Sequence, residues 1–158
     1  MTASPNDRPS GGFHSVLETD HPYVFVDATN QIWPDADFTS AHRHVATAYA
    51  VTAWRPQASF EEAIRDGMEW HRYAREYEHL IVAESAESIR NAKRDGKAAF
   101  IIAAQGADWV GRELHRVEVL QRLGLRQLLF AYNATNQLAA GCHDRIDSGL
   151  TKLGELVV

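Results

Sequence analysis

Three polar segments directly follow apolar runs, and their side chains bound the chemistry this chain can do. Thr29-Asn30-Gln31 comes after Tyr23-Val24-Phe25-Val26, Gln105-Gly106 after Phe100-Ile101-Ile102-Ala103-Ala104, and Tyr132-Asn133 after Leu128-Leu129-Phe130. Hydroxyls, amides and a phenol donate and accept hydrogen bonds, but none of them is a carboxylate or an imidazole. Such groups can line a pocket, and a phenol at Tyr132 can donate toward a developing oxyanion. They are poor ligands for zinc. A plainer reading stands beside this one. Thr29, Asn30 and Gln31 can simply satisfy backbone groups in a turn, and Gly106 can simply permit a tight one.

Two other constellations compete for attention. His42-Arg43-His44 has the i, i+2 spacing that puts two imidazoles on one strand face. It precedes its apolar run, which puts it at the amino-terminal end of the strand as a solvated entry. His143-Asp144 beside Cys142 offers an acid–base pair or weak metal cluster, but no third ligand stands at suitable spacing, and a polar loop fits better. Cys142 has no defined histidine partner as a nucleophile. Asp27 suits a structural role, accepting backbone N–H bonds in the first loop. Trp70, Tyr73 and Tyr77 are read as helix packing, not as a cofactor box.

The elements that must position these groups alternate. Residues 23–26, 45–54, 80–82, 98–104 and 127–132 read as strands, apolar on both faces as in a parallel sheet. Ser59 and Glu62 have capping-box spacing before a helix with Ala63, Ile64, Gly67, Met68, His71, Ala74 and Tyr77 on one face. Ser85 can cap a helix carrying Ile89 and Ala92 that stops at Gly96. Asp108 can open one with Val110, Leu114, Val117 and Leu120, ending at Gly124. Ser148 can cap a last one with Leu150, Leu153 and Val157. Strands alternating with helices imply an α/β fold of parallel β/α units. A complete doubly wound sheet and the first half of an eight-stranded barrel both fit: the length favours the complete sheet, the apolar ending Leu156-Val157-Val158 favours the half barrel, and the pattern leaves both open.

Bulk properties narrow the partners. The chain has 158 residues, 45% hydrophobic and 23% charged, enough for one domain with a core. A net charge of −5 provides no basic surface for nucleic acid or an anionic membrane. No run approaches the roughly 18 apolar residues of a membrane span. Residues 1–20 are expected to form a flexible tail and 21–158 a single domain. One cysteine and no secretory leader lead us to expect a cytoplasmic protein.

From these pieces the chain resembles the renal, or membrane, dipeptidase family of zinc peptidases, barrel enzymes of the amidohydrolase type. Asp27-Ala28-Thr29-Asn30-Gln31 is similar to the family's Asp-Gly-His-Asn-Asp after the first strand. Residues 97–106 resemble its strand ending in Glu-Gly. Leu123-Gly124-Leu125-Arg126, followed by Tyr132-Asn133 and Asn136, resembles its Leu-Gly-Val-Arg to Thr-His-Asn segment. Residues 148–158 resemble its Gly-Leu-Thr helix. The resemblance implies the N-terminal half of a TIM-type (β/α)8 barrel, with open sheet edges that invite self-association.

It also implies a reaction, the zinc-dependent hydrolysis of dipeptides, and a ligand set this chain does not reproduce. The family's His, Asp and bridging Glu positions fall on Thr29, Gln31 and Gln105; a substrate-contacting histidine falls on Tyr132, while Asn133 matches. Two dications about 3.5 Å apart repel by on the order of 20 kcal/mol at an effective dielectric of 20. Bridging anions offset that repulsion; a neutral amide does not. We therefore expect a degenerate first metal site, no zinc on this chain, and a pocket lined by Thr29, Asn30, Gln31, Gln105, Tyr132 and Asn133 for a small molecule or dipeptide. The chain alone is expected to be inactive. The alternatives are a mononuclear-metal hydrolase in a longer form, or a non-catalytic binding or assembly protein.

Overall fold

The structure, a computed structural model, describes residues 22–32, 41 and 46–158. The expected tail at residues 1–20 and the His42-Arg43-His44 segment lie outside the described residues.

Five parallel strands form one sheet: β1 (Val26–Asn30), β2 (Ala48–Thr52), β3 (Leu80–Val82), β4 (Ala98–Ala104) and β5 (Leu125–Leu128). Their order is β1-β2-β4-β3, with β5 also on β4. β4 is the longest and most buried strand, and two strands share one of its edges. β3 pairs with its first half (Leu80 beside Ala98, Val82 beside Phe100), and β5 with its second half (Ile102 beside Leu125, Ala104 beside Leu128). The main path is therefore β1-β2-β4-β5, with β3 as a short addition.

This order decides where the helices go. α1 (Phe60–Glu76) carries the chain from β2 past β4 to β3, and α2 (Ala86–Arg94) brings it back. Right-handed crossovers in opposite directions must lie on opposite faces. The cores agree. Phe100 and Ile102 of β4 pack with Trp70 and Tyr73 of α1 and Leu120 of α3 (His115–Arg122). Ala48, Ala99 and Ile101, one residue out of phase, pack with Ile89 and Ala92 of α2.

Caps match the sequence in two helices. Ser59 accepts from the Glu62 N–H, and Glu62 accepts from the Ser59 N–H at 2.7 Å. That backbone bond holds the Glu62 carboxyl below the usual carboxylate range against an opposing desolvation, with the Arg55 charge adding to it. Ser85 and Ser88 form the equivalent box on α2.

Elsewhere the structure corrects the sequence reading. The first strand is Val26–Asn30, not residues 23–26, because pairing begins only where Val26 meets Ala48; Tyr23, Val24 and Phe25 stay exposed. The fifth strand ends at Leu128, after which Leu129 donates to Ala104 O and Phe130 O accepts from Ala107. The face of α1 is rotated: Trp70 and Tyr73 are buried with Ala63 and Gly67, while Met68 is exposed. Asp108 opens only a 3-10 turn (Asp108–Val110), because Gly111 at φ 57° turns the chain before α3 can start. The last helix, α4 (Lys152–Val157), is capped by Thr151, whose hydroxyl accepts from Gly154 N–H at 3.0 Å; Leu150 instead bridges Ala139.

Candidate functional site

A cavity of about 430 Å³ opens at the carboxyl-terminal strand ends. Gln31 and Ile32 reach it from β1, Gln105 from β4, and Tyr132 from the segment after β5. Thr52, Ala53 and Trp54 form its wall at the end of β2. Asp66, Glu69, Trp70 and Tyr73, at i, i+3, i+4 and i+7, bring one face of α1 against it.

Each contributor is held by identifiable bonds. Asp27 clasps the end of β1, accepting from Thr29 N–H at 3.3 Å and Asn30 Nδ2 at 2.6 Å across a register shift. This is the structural role its carboxylate suggested. Asp27 also faces Tyr49, whose phenol is pushed up first by burial and then by that charge. Gln105 follows a strand locked to β2 by Ala53 N–H donating to Ala103 O at 2.9 Å. Trp54 lies edge-on to Trp109 with centroids 6.2 Å apart, and Trp109 Nε1 donates to Gly106 O at 2.9 Å. The indole of Trp54 packs closely beneath α1 at Gly67, where a β-carbon would lie 3.2 Å from Trp54 Cζ3 and crowd the ring.

Tyr132 sits on a loop stitched from within. Asn136 donates to Phe130 O at 2.6 Å and accepts from the backbone of Leu138 and Ala139. Cys142 N–H donates to Tyr132 O, and His143 N–H to Asn133 O. Asp144 accepts from the Thr135 hydroxyl and from Gly141 N–H, and these two bonds, in that order, lower its carboxyl. The Cys142-His143-Asp144 segment is thus a polar loop, as the spacing suggested, with Asp144 as its clasp.

Of the six residues expected in a pocket, Gln31, Gln105 and Tyr132 line this cavity; Thr29, Asn30 and Asn133 do not. The Thr29 hydroxyl donates to Ala28 O, Asn30 is taken by Asp27, and exposed Asn133 accepts from the Cys142 thiol. Sequence reading missed Thr52, Trp54 and the α1 face. Trp70 and Tyr73 are core, as expected, yet also wall. Their signal was an aromatic and acidic mixture on one helical face. Among the described residues no group of three or more His, Cys, Asp or Glu side chains is arranged to hold a metal. No described helix is long and apolar enough to cross a membrane.

Parallel β/α units with a cavity at the carboxyl ends of the strands define a barrel-type α/β protein. The chain belongs to the membrane dipeptidase family, peptidase family M19, whose profile matches residues 28–158. It is similar in structure to an amidohydrolase from Pseudomonas aeruginosa, at TM-score 0.77 and 23% identity over 91% of this chain and 42% of that one. It is also similar to the probable dipeptidase PvdM from Pseudomonas aeruginosa, at TM-score 0.68 and 17% identity over 91% of this chain and 44% of that one. The chain spans less than half the length of either, and its fold is a partial TIM-type barrel. Among curated protein sequences none matches.

Proposed function

We propose that this chain carries the amino-terminal half of a dipeptidase-type barrel in which a neutral binding pocket has replaced the first metal site, and that it binds without hydrolysing. One observation carries the reading: Gln31 and Gln105, at positions where the resemblance puts a carboxylate ligand and a bridging carboxylate, line one cavity with Tyr132. Zinc does not fit this set. Two carboxamides and a phenol supply no anion to offset paired dications, and Thr29, at the family's histidine position, spends its hydroxyl on its own loop. What the residues can do is hold a ligand by neutral hydrogen bonds against an aromatic wall.

The test is a zinc titration and a dipeptide hydrolysis assay on the purified chain, beside a variant carrying Thr29→His, Gln31→Asp and Gln105→Glu. The parent should take up no zinc and release no amino acid, while the triple variant should bind zinc at least ten-fold more tightly. Zinc-dependent turnover by the parent, or no gain in the variant, refutes the reading.

A further inference from the structure

Gln137 does not line the cavity, yet it joins the two loops that carry Gln105 and Tyr132 into it. Its carboxamide nitrogen donates to Ala107 O at 3.0 Å and to Asp108 O at 3.2 Å. Both carbonyls belong to the turn that follows Gln105 and Gly106. On its other side the Gln137 carbonyl accepts from the Thr151 hydroxyl at 2.7 Å, and the next one, Leu138 O, accepts from Thr151 N–H at 2.8 Å. Thr151 is the cap of α4. That helix lies so close that a β-carbon at Gly154 would overlap Leu138 O.

The turn after β4 is closed within itself. Ala107 O also accepts from Val110 N–H and Asp108 O from Gly111 N–H, each at 3.1 Å. Trp109 Nε1 stays inside it as well, on Gly106 O. A closed turn keeps its shape, but its place is set by the bonds that leave it. Ala107 N–H donates to Phe130 O at 3.1 Å, Trp109 O accepts from Arg116 at 3.1 Å, and the Gln137 amide supplies two more. Two N–H groups in one plane fix orientation as well as distance.

We propose that Gln137 is a positioning residue of the cavity: it clamps the Gln105 turn to the Tyr132 loop, and α4 holds it in place through Thr151. This rests on the neutral-pocket reading above and adds the residue that assembles the pocket.

The test is two-dimensional NMR and amide hydrogen exchange on the full 158-residue chain. Gln137→Met keeps the length and removes the N–H donors; Gln137→His returns one. In Gln137→Met the Trp109 indole signal should move, and exchange at Ala107 should quicken about ten-fold, the loss of roughly one net hydrogen bond. Ala63, whose N–H is held by Ser59 O in α1, should exchange as in the parent. Gln137→His should bring both signals back toward the parent, which a residue that merely filled space would not require. If Gln137→Met does not fold, Thr151→Val removes the other half of the clamp and is read by the same signals. Unmoved signals, equal quickening at Ala63, or no recovery in Gln137→His overturns the proposal.

A zinc titration separates this role from the neutral-pocket reading. In the variant carrying Thr29→His, Gln31→Asp and Gln105→Glu, adding Gln137→Met should weaken zinc about ten-fold. Zinc held equally with and without it refutes only the positioning role. No zinc in either refutes the neutral pocket, and the NMR signals then decide Gln137 alone.

Discussion

Gly106 stands against Pro56 so closely that a β-carbon at position 106 would lie 2.7 Å from the Pro56 carbonyl oxygen. The contact joins the loops after β4 and β2, which carry Gln105 and Trp54 to the same cavity. Because the obstacle is backbone, no rotamer change relieves it. Gly106→Ala should cost about 1–3 kcal/mol, read from the urea midpoint at constant m-value. A variant as stable as the parent would mean that the two loops are not held together.

Thr52 makes the opposite prediction. Its hydroxyl oxygen is buried and unpartnered among the described residues, so its removal should relieve a desolvation penalty. Thr52→Val, nearly the same shape, should raise stability by about 1 kcal/mol in thermal unfolding. A destabilised Thr52→Val would instead point to an unseen partner for the hydroxyl.

The capping box at Ser59 predicts an acid response. Glu62 has a lowered folded pKa, chiefly through the Ser59 N–H, so its stabilisation is fully present above the unfolded glutamate value. It is lost as pH falls through the folded value. Ser59→Ala should destabilise α1 by about 1 kcal/mol near neutrality, through the lost Ser59 hydroxyl alone. The Glu62 carboxylate keeps its backbone bond there, so Glu62→Gln is the variant that should flatten stability against pH below about pH 5. An unchanged acid slope in Glu62→Gln would show that this carboxylate is not held in solution.

How much of this was legible beforehand differs by element. The Ser59 and Ser85 caps were readable because capping is local: the cap and the residue three positions on supply both halves of the bond. β4 was readable because a strand buried on both faces is apolar throughout. β1 was not, because its paired residues include Asp27 and Asn30, and its pairing depends on where β2 begins. The cavity was half legible. Gln31, Gln105 and Tyr132 follow strands in sequence, whereas the α1 wall depends on how far that helix rolls to bury Trp70 against Phe100 at 5.1 Å. No periodicity fixes that roll to within one residue.

Asp144 extends the acid argument to the loop that carries Tyr132. Its carboxyl is lowered first by the Thr135 hydroxyl and then by the Gly141 N–H. The loop should be firmest above the unfolded aspartate value and loosen as pH falls through the folded one. Asp144→Asn keeps the shape and removes the charge, so hydrogen exchange at Cys142 and His143 should quicken at pH 7 and lose its dependence on acid. Exchange that is equally slow in the variant would relieve Asp144 of the clasp role.

The placement of α2 can be tested through the size of one side chain. α2 lies on the sheet face opposite α1 and α3, where Ala92, Ala48 and Ala99 are each almost fully buried. Three small residues in contact mean that helix and sheet approach closely, leaving no room for an added isobutyl group. Ala92→Leu should cost about 1–3 kcal/mol, while Arg90→Leu, exposed on the same helix, should stay within about 0.5 kcal/mol. Ala92 is also at the amino-terminal end of the strands, remote from Thr52 and Gln105 on the same face. Equal stability of the two variants would place α2 off the sheet, and with it the crossover that sets α1 beside the cavity.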